Sequence, residues 1–252
     1  MRRSCYRAAV AVNVLAPPRD GSTSPPGPIA ARWLGRVDYR AAHALQRRLA
    51  SDRAEDRIGD QLLLLEHPPV LTLGRHGDPT HVLVSPEQLR ARAIEVVRVE
   101  RGGEVTYHGP GQLVAYPILA LSQRGLMIRP LVRALEAALV ATCAAYGVVA
   151  ARREGHPGCW CDPDGDHPRK IGALGLRVER GVTFHGISLN VTVNLADFEM
   201  IDACGMPGVR STSIAAELGE VAASPSTASV ELVATTFAGA LADALGASVE
   251  GV

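Results

Sequence analysis

Three short segments of this 252-residue chain combine chemically active side chains with room for a ligand to approach. The first is Arg101-Gly102-Gly103-Glu104-Val105-Thr106-Tyr107-His108-Gly109-Pro110-Gly111-Gln112. Its glycines let backbone come close to a ligand, and Thr106 and His108 sit among them. A solvated turn is the competing reading, and glycines alone do not decide. The second is Lys170-Ile171-Gly172-Ala173-Leu174-Gly175, an ammonium at a strand start followed by small residues. The 26 basic residues are 25 Arg and this single Lys. An arginine stays protonated in proteins, whereas an ammonium in a dry site can release its proton and act as a base. The competing reading is a surface lysine at a strand end. The third is Cys204 in Asp202-Ala203-Cys204-Gly205-Met206-Pro207-Gly208. Gly205, Pro207 and Gly208 directly after it predict a turn, where a thiol is accessible as a nucleophile; an inert loop thiol competes.

A fourth cluster, His156, Cys159, Cys161, Asp162, Asp164, Asp166 and His167, does not read as a metal site. One residue separates the two cysteines where structural zinc sites usually have two to four, and no second pair follows. It reads as a Gly- and Asp-rich turn. Other familiar chemistries lack their motifs. The only lysine precedes Ile171, so no phosphate-cradling G-x-x-x-x-G-K-[ST] exists, and there is no G-x-S-x-G elbow and no H-E-x-x-H. Net charge is zero, from 26 basic and 26 acidic residues, with no basic stripe, which argues against nucleic acid. No apolar run is long enough to span a bilayer, and no basic amphipathic helix suggests a membrane surface. Five irregularly spaced cysteines suit reduced thiols in a cytoplasmic protein.

Together these segments resemble the lipoyl(octanoyl) transferases. Arg101–Gln112 is similar to that family's R-G-G-x-x-T-x-H-G-P-G-Q, Lys170–Gly175 to its K-I-[AG]-A-[LI]-G, and Cys204-Gly205 to its Cys-Gly nucleophile. His185-Gly186-Ile187-Ser188-Leu189-Asn190 is similar to H-G-[FLI]-[AS]-L-N, and His67-Pro68-Pro69-Val70 through Gly74-Arg75 to H-P-P-x-[LF]-T-x-G-[RK]. The five motifs occur in order, and the resemblance runs from about Ile29 to Leu245. The Pro/Ser-rich start and the cysteines at 159 and 161, where apolar residues are expected, depart from the pattern.

The resemblance implies an α+β fold of the biotin and lipoate protein ligase type, with a mixed, mainly antiparallel sheet and flanking helices. It implies transfer of an octanoyl group from octanoyl-acyl carrier protein to a lysine of lipoyl domains of 2-oxoacid dehydrogenase complexes or of the glycine cleavage H protein. Cys204 would carry the acyl group as a thioester and Lys170 would be the base. Substrate would be bound by Arg101, Gly102, Gly103, Glu104, Val105, Thr106, Tyr107, His108, Ala173, Leu174, Gly175, Gly186, Ile187 and Ser188. Backbone N–H groups near Gly205 or a turn at Leu174–Gly175 would hold the oxyanion. No metal or other cofactor is implied, and a monomer is expected. An ATP-dependent lipoate-protein ligase of the same fold is the alternative; a non-catalytic carrier-binding module is a second.

The elements that must position these groups are legible in the pattern. Residues 1–28, rich in Pro, Gly and Ser, read as a disordered tail, and 29–252 as one catalytic domain. Helices are predicted over 38–54 (Asp38 as N-cap), 86–92, 130–146 (Gly147 just beyond), 211–218 and 230–245. Strands are predicted over 62–65, 70–73, 95–99, 113–121, 169–177 and 182–193. A glycine-rich loop is expected at 102–112 and a hairpin turn at Glu179-Arg180-Gly181. Strands and helices without βαβ alternation argue for α+β with a largely antiparallel sheet.

Overall fold

The computed structural model describes residues 27–202, 209–219 and 229–252. Its elements run β1 (Ile29–Arg36), α1 (Tyr39–Ala54), β2 (Gln61–Glu66), β3 (Val70–Leu73), α2 (Pro86–Ala91), β4 (Glu95–Arg98), β5 (Val105–His108), β6 (Gln112–Ile118), α3 (Ile128–Ala145), β7 (Ala151–Arg153), β8 (His156–Cys161), β9 (Arg169–Glu179), β10 (Val182–Asn190), β11 (Arg210–Ser211), α4 (Ile214–Leu218), α5 (Val230–Leu245) and β12 (Val249–Glu250), with 3₁₀ turns at Pro79–His81 and Leu195–Met200. The large sheet has the order β12-β1-β2-β6-β10-β9-β8-β7, with β11 added alongside β9; a small sheet has the order β4-β3-β5. Pairing is mixed: β2 through β7 in that spatial order run antiparallel, while β12, β1 and β11 join in parallel. This is the expected α+β architecture.

The sheet is covered on both faces, and the sequence of β2 shows why. Leu62 and Leu64 face one core, with α3 and α5; Leu63 and Leu65 face the other, with Ala42 and Leu49 of α1. A strand buried on both sides reads as a continuous apolar run. Local signals set the element ends. Asp38 caps α1 through the Ala41 amide, and Ser229 caps α5 through the Leu232 amide. Arg180 (φ 51°) and Gly181 (φ 77°) make the left-handed pair that a tight two-residue hairpin requires between β9 and β10.

Three expectations are corrected. The glycine-rich stretch is not all loop, because Val105–His108 is a strand; flanking glycines mask a run of good strand formers. The segment 156–161 is the strand β8 and not a turn. Gly158 (φ 130°) stands where a side chain would strike the Gly172 carbonyl, and Cys159 and Cys161 are buried beside Cys143 as small apolar residues. The helix expected at 211–218 begins only at Ile214, capped by Ser213, because Arg210–Ser211 is recruited as a strand against β9.

Candidate active site

The register of β9 and β10 brings distant motifs side by side: Ala173 faces Ser188, Leu174 faces Ile187, and Gly175 faces Gly186. The Arg101 loop lies across this ladder. Gly102 donates to the Leu176 carbonyl at 3.0 Å, and a Cβ on Gly175 would lie 2.8 Å from the Gly102 oxygen, so only glycine allows this approach. Arg101 is buried and donates to the Thr72 carbonyl (2.7 Å), the Thr72 hydroxyl (2.8 Å) and the Glu104 carbonyl (2.8 Å). It thereby fastens the loop to the small sheet. The resulting cleft holds about 540 Å³, a figure that includes the open solvent at its mouth.

Of the residues expected in the site, Arg101, Gly103, Glu104, Val105, Thr106, His108, Lys170, Ala173, Leu174, Gly175, Gly186, Ile187 and Ser188 line this cleft. Gly102 and Tyr107 do not. Tyr107 turns its side chain to the other face of β5, where its hydroxyl donates to Asp197 at 2.8 Å and its ring meets Phe198. Leu174 and Gly175 lie inside β9 and not in a turn. Cys204, within 203–208, lies outside the described residues. On its near side the Asp202 amide donates to the His81 carbonyl at 2.8 Å; on its far side Arg210 and Ser211 pair with Arg169 and Lys170.

Lys170 is held between two strands. Trp160 of β8 is its cross-strand partner, and the Lys170 Nζ lies 5.0 Å from the centre of the indole ring, a cation–π contact. The indole is itself fixed, donating to the His156 carbonyl at 3.0 Å. The Thr212 amide closes on the Lys170 carbonyl at 3.0 Å.

The cleft also contains residues that sequence reading missed: Tyr39, Val114, Tyr116 and His185. His185 lay inside a quoted motif; Tyr39, the first residue of α1, gave no signal. Three histidines here are kept neutral. Burial lowers His67 to about 4 against its Val37 contact. Burial, with His67 next, lowers His108 to about 3, and burial lowers His185 to about 3 against the pull of Glu100. His67 Nδ1 donates to the Val37 carbonyl and Nε2 accepts from the Tyr116 hydroxyl, both at 2.7 Å. Burial pushes the Tyr39 phenol up to about 12. His185 adopts φ 55°, uncommon for a residue with a Cβ, and its amide donates to Gln46 at 2.8 Å. His43, Glu100 and His185 place ligand atoms within 4.8 Å of one another. Arg47 already contacts the Glu100 carboxylate at 3.2 Å, and a divalent ion would be repelled by that guanidinium. The group therefore reads as an Arg47–Glu100 ion pair with His43 and His185 beside the carboxylate.

Residues 38–242 match the lipoyl protein ligase A/B catalytic domain model. The chain belongs to that family. A curated Octanoyltransferase from Chloroflexus aurantiacus is 48% identical over 192 residues, 76% of this chain and 85% of the relative. Among solved structures, lipoate-protein ligase A bound with ATP superposes with a TM-score of 0.62 at 14% identity, covering 90% of this chain and 88% of that one. Biotin protein ligase from Aquifex aeolicus gives 0.50 at 14% identity, covering 86% and 70%. At such identities the likeness is one of fold, and it is the fold expected from the motifs. Among the described residues, no helix is long and apolar enough to cross a membrane.

Proposed function

We propose that this member of the lipoyl protein ligase A/B family is an acyltransferase that moves an octanoyl group from octanoyl-acyl carrier protein to a lysine of lipoyl-carrier domains. Lipoyl domains of 2-oxoacid dehydrogenase complexes and the glycine cleavage H protein are the proposed acceptors. The observation that carries this reading is the convergence of the Arg101 loop, the β9–β10 ladder and Lys170 on one cleft. The relative named Octanoyltransferase supports the acyl group.

Cys204 is the proposed nucleophile. Lys170 takes the thiol proton; the sulfur attacks the donor carbonyl, a new C–S bond forms, and the carrier thiolate leaves with that proton. The acceptor amine then attacks the acyl-cysteine. A C–N bond forms, the C–S bond breaks, and Lys170 passes a proton from nitrogen to the Cys204 sulfur. The pairing of Cys204 with Lys170 is supported by the chain path, since the segment bearing Cys204 runs directly into strand β11, paired to Lys170. The donor is already a thioester, so the reaction needs no nucleotide. We place this activity in the cytoplasm, in a monomer.

Incubation with octanoyl-acyl carrier protein, without nucleotide or Mg²⁺, should yield one hydroxylamine-labile octanoyl adduct on the Cys204 peptide. Transfer that survives Cys204→Ala at near wild-type rate overturns the thioester route. A strict requirement for ATP with free octanoate establishes the ligase reading instead.

The catalytic unit is proposed to be residues 29–252, preceded by a dispensable Pro/Gly/Ser-rich tail. Arg124 donates to the Gly27 carbonyl at 2.9 Å, so a truncated chain should begin at Gly27. It should keep the melting temperature and activity of the full chain. A large loss of either would show that residues 1–26 contribute to the domain.

A further inference from the structure

A chain of hydrogen bonds dictates which nitrogen of His108 carries its proton. It begins at the backbone carbonyl of Thr212, which can only accept. Asn190 Nδ2 must therefore donate to it, at 2.8 Å, and this turns Asn190 Oδ1 toward Gln112. Gln112 Nε2 donates to that oxygen at 2.9 Å and to the Tyr107 carbonyl at 3.3 Å. Gln112 Oε1 is left facing His108 Nδ1 at 2.7 Å. Two acceptors cannot bond, so Nδ1 bears the hydrogen. Burial keeps the ring neutral at working pH. His108 Nε2 is then a bare lone pair on a ring that lines the cleft, and it meets no hydrogen-bond partner among the described residues.

A lone pair cannot donate to a carbonyl, so His108 is not an oxyanion donor. The group it matches is an N–H. We propose that His108 Nε2 accepts a hydrogen bond from the acceptor lysine amine in the second half-reaction, and that Gln112, Asn190 and the Thr212 carbonyl are positioning groups that hold the required tautomer. This rests on the octanoyl-transfer reading above. The amine arrives with two N–H bonds. One is held by His108 and survives as the amide N–H. The other loses its proton to Lys170, which delivers it to the departing Cys204 sulfur. The amine lone pair is thereby aimed at the acyl carbon, and His108 itself gains no proton.

Two measurements test this. In protein labelled with ¹⁵N-histidine, the His108 signals should show a protonated Nδ1 and a bare Nε2 from pH 6 to 8. Gln112→Leu should release the ring to a mixture of tautomers. In single turnovers, His108→Ala should slow discharge of the acyl-enzyme to a lipoyl domain by roughly 10- to 100-fold more than it slows acylation, the scale of one hydrogen bond to a reacting group. His108→Gln, whose amide oxygen can take the place of Nε2, should recover most of that loss. A protonated Nε2 in the wild type, or equal loss in both half-reactions, would overturn the proposal. Absence of any Cys204 adduct in the wild type would instead remove the transfer reading, while the tautomer measurement would still stand on its own.

Discussion

Lys170→Arg should lose nearly as much activity as Lys170→Ala, on the order of 10²- to 10⁴-fold, the usual contribution of a general base. The arginine variant is informative because it keeps nearly everything else. It retains the positive charge, and a guanidinium stacks on an indole as an ammonium does, so the contact with Trp160 is preserved. What it cannot do is give and take a proton near neutral pH. The same variants report on the thiol. Lys170→Ala should move the pH dependence of Cys204 alkylation up toward the free-thiol value of about 8.5. If Lys170 serves only as a fixed charge, the arginine curve will lie close to wild type and transfer will survive. If the three alkylation curves coincide, the cysteine–lysine pair has to be abandoned.

Acid should destabilise the fold well before its carboxylates titrate. His67 is held at about 4, and His108 and His185 at about 3, all by burial, against the ordinary imidazole value of 6.5. Between those values the unfolded chain binds protons that the folded chain refuses. Stability therefore rises with pH across this window. It is fully present above about pH 6.5 and is lost as pH falls toward the folded values, by at most about 1.4 kcal/mol per pH unit for each ring. Urea midpoints measured from pH 8 to pH 5 should be level down to about 6.5 and then fall, with proton uptake on unfolding. His185→Asn removes one ring while tolerating the left-handed φ of 55°, and should make the acid slope shallower. A flat profile to pH 5 would mean that water reaches these rings.

Much of the candidate site was legible because its chemistry is tied to residue type. A single lysine among 26 basic residues, a glycine-rich loop around a histidine and a cysteine followed by Gly205, Pro207 and Gly208 stand out without coordinates. Tyr107 shows the limit. Loop and strand readings of Val105–His108 place it differently, because in a strand successive side chains point to opposite faces. Thr106 and His108 line the cleft, while Tyr107 between them packs against Phe198. Reading the segment as a loop left that alternation undefined.

The elements determined by the sequence alone are those closed by neighbouring residues. Asp38 caps α1, Ser229 and Gly246 bound α5, and Arg180-Gly181 turns the hairpin; each needs only a few adjacent positions. The tertiary structure decided the rest. Strand β8 exists because Glu136 of α3 accepts the buried Gly158 amide and β9 pairs with Cys159–Cys161. Tyr39, Tyr116 and His185 reach the cleft because α1 lies over β6 and β10, which the pattern of no single segment encodes. The His108 tautomer depends on Asn190 and Thr212, roughly 80 and 100 positions downstream. A hydrogen bond or a strand register between such distant residues costs chain entropy that only the assembled core offsets, so it becomes visible only once the chain is folded.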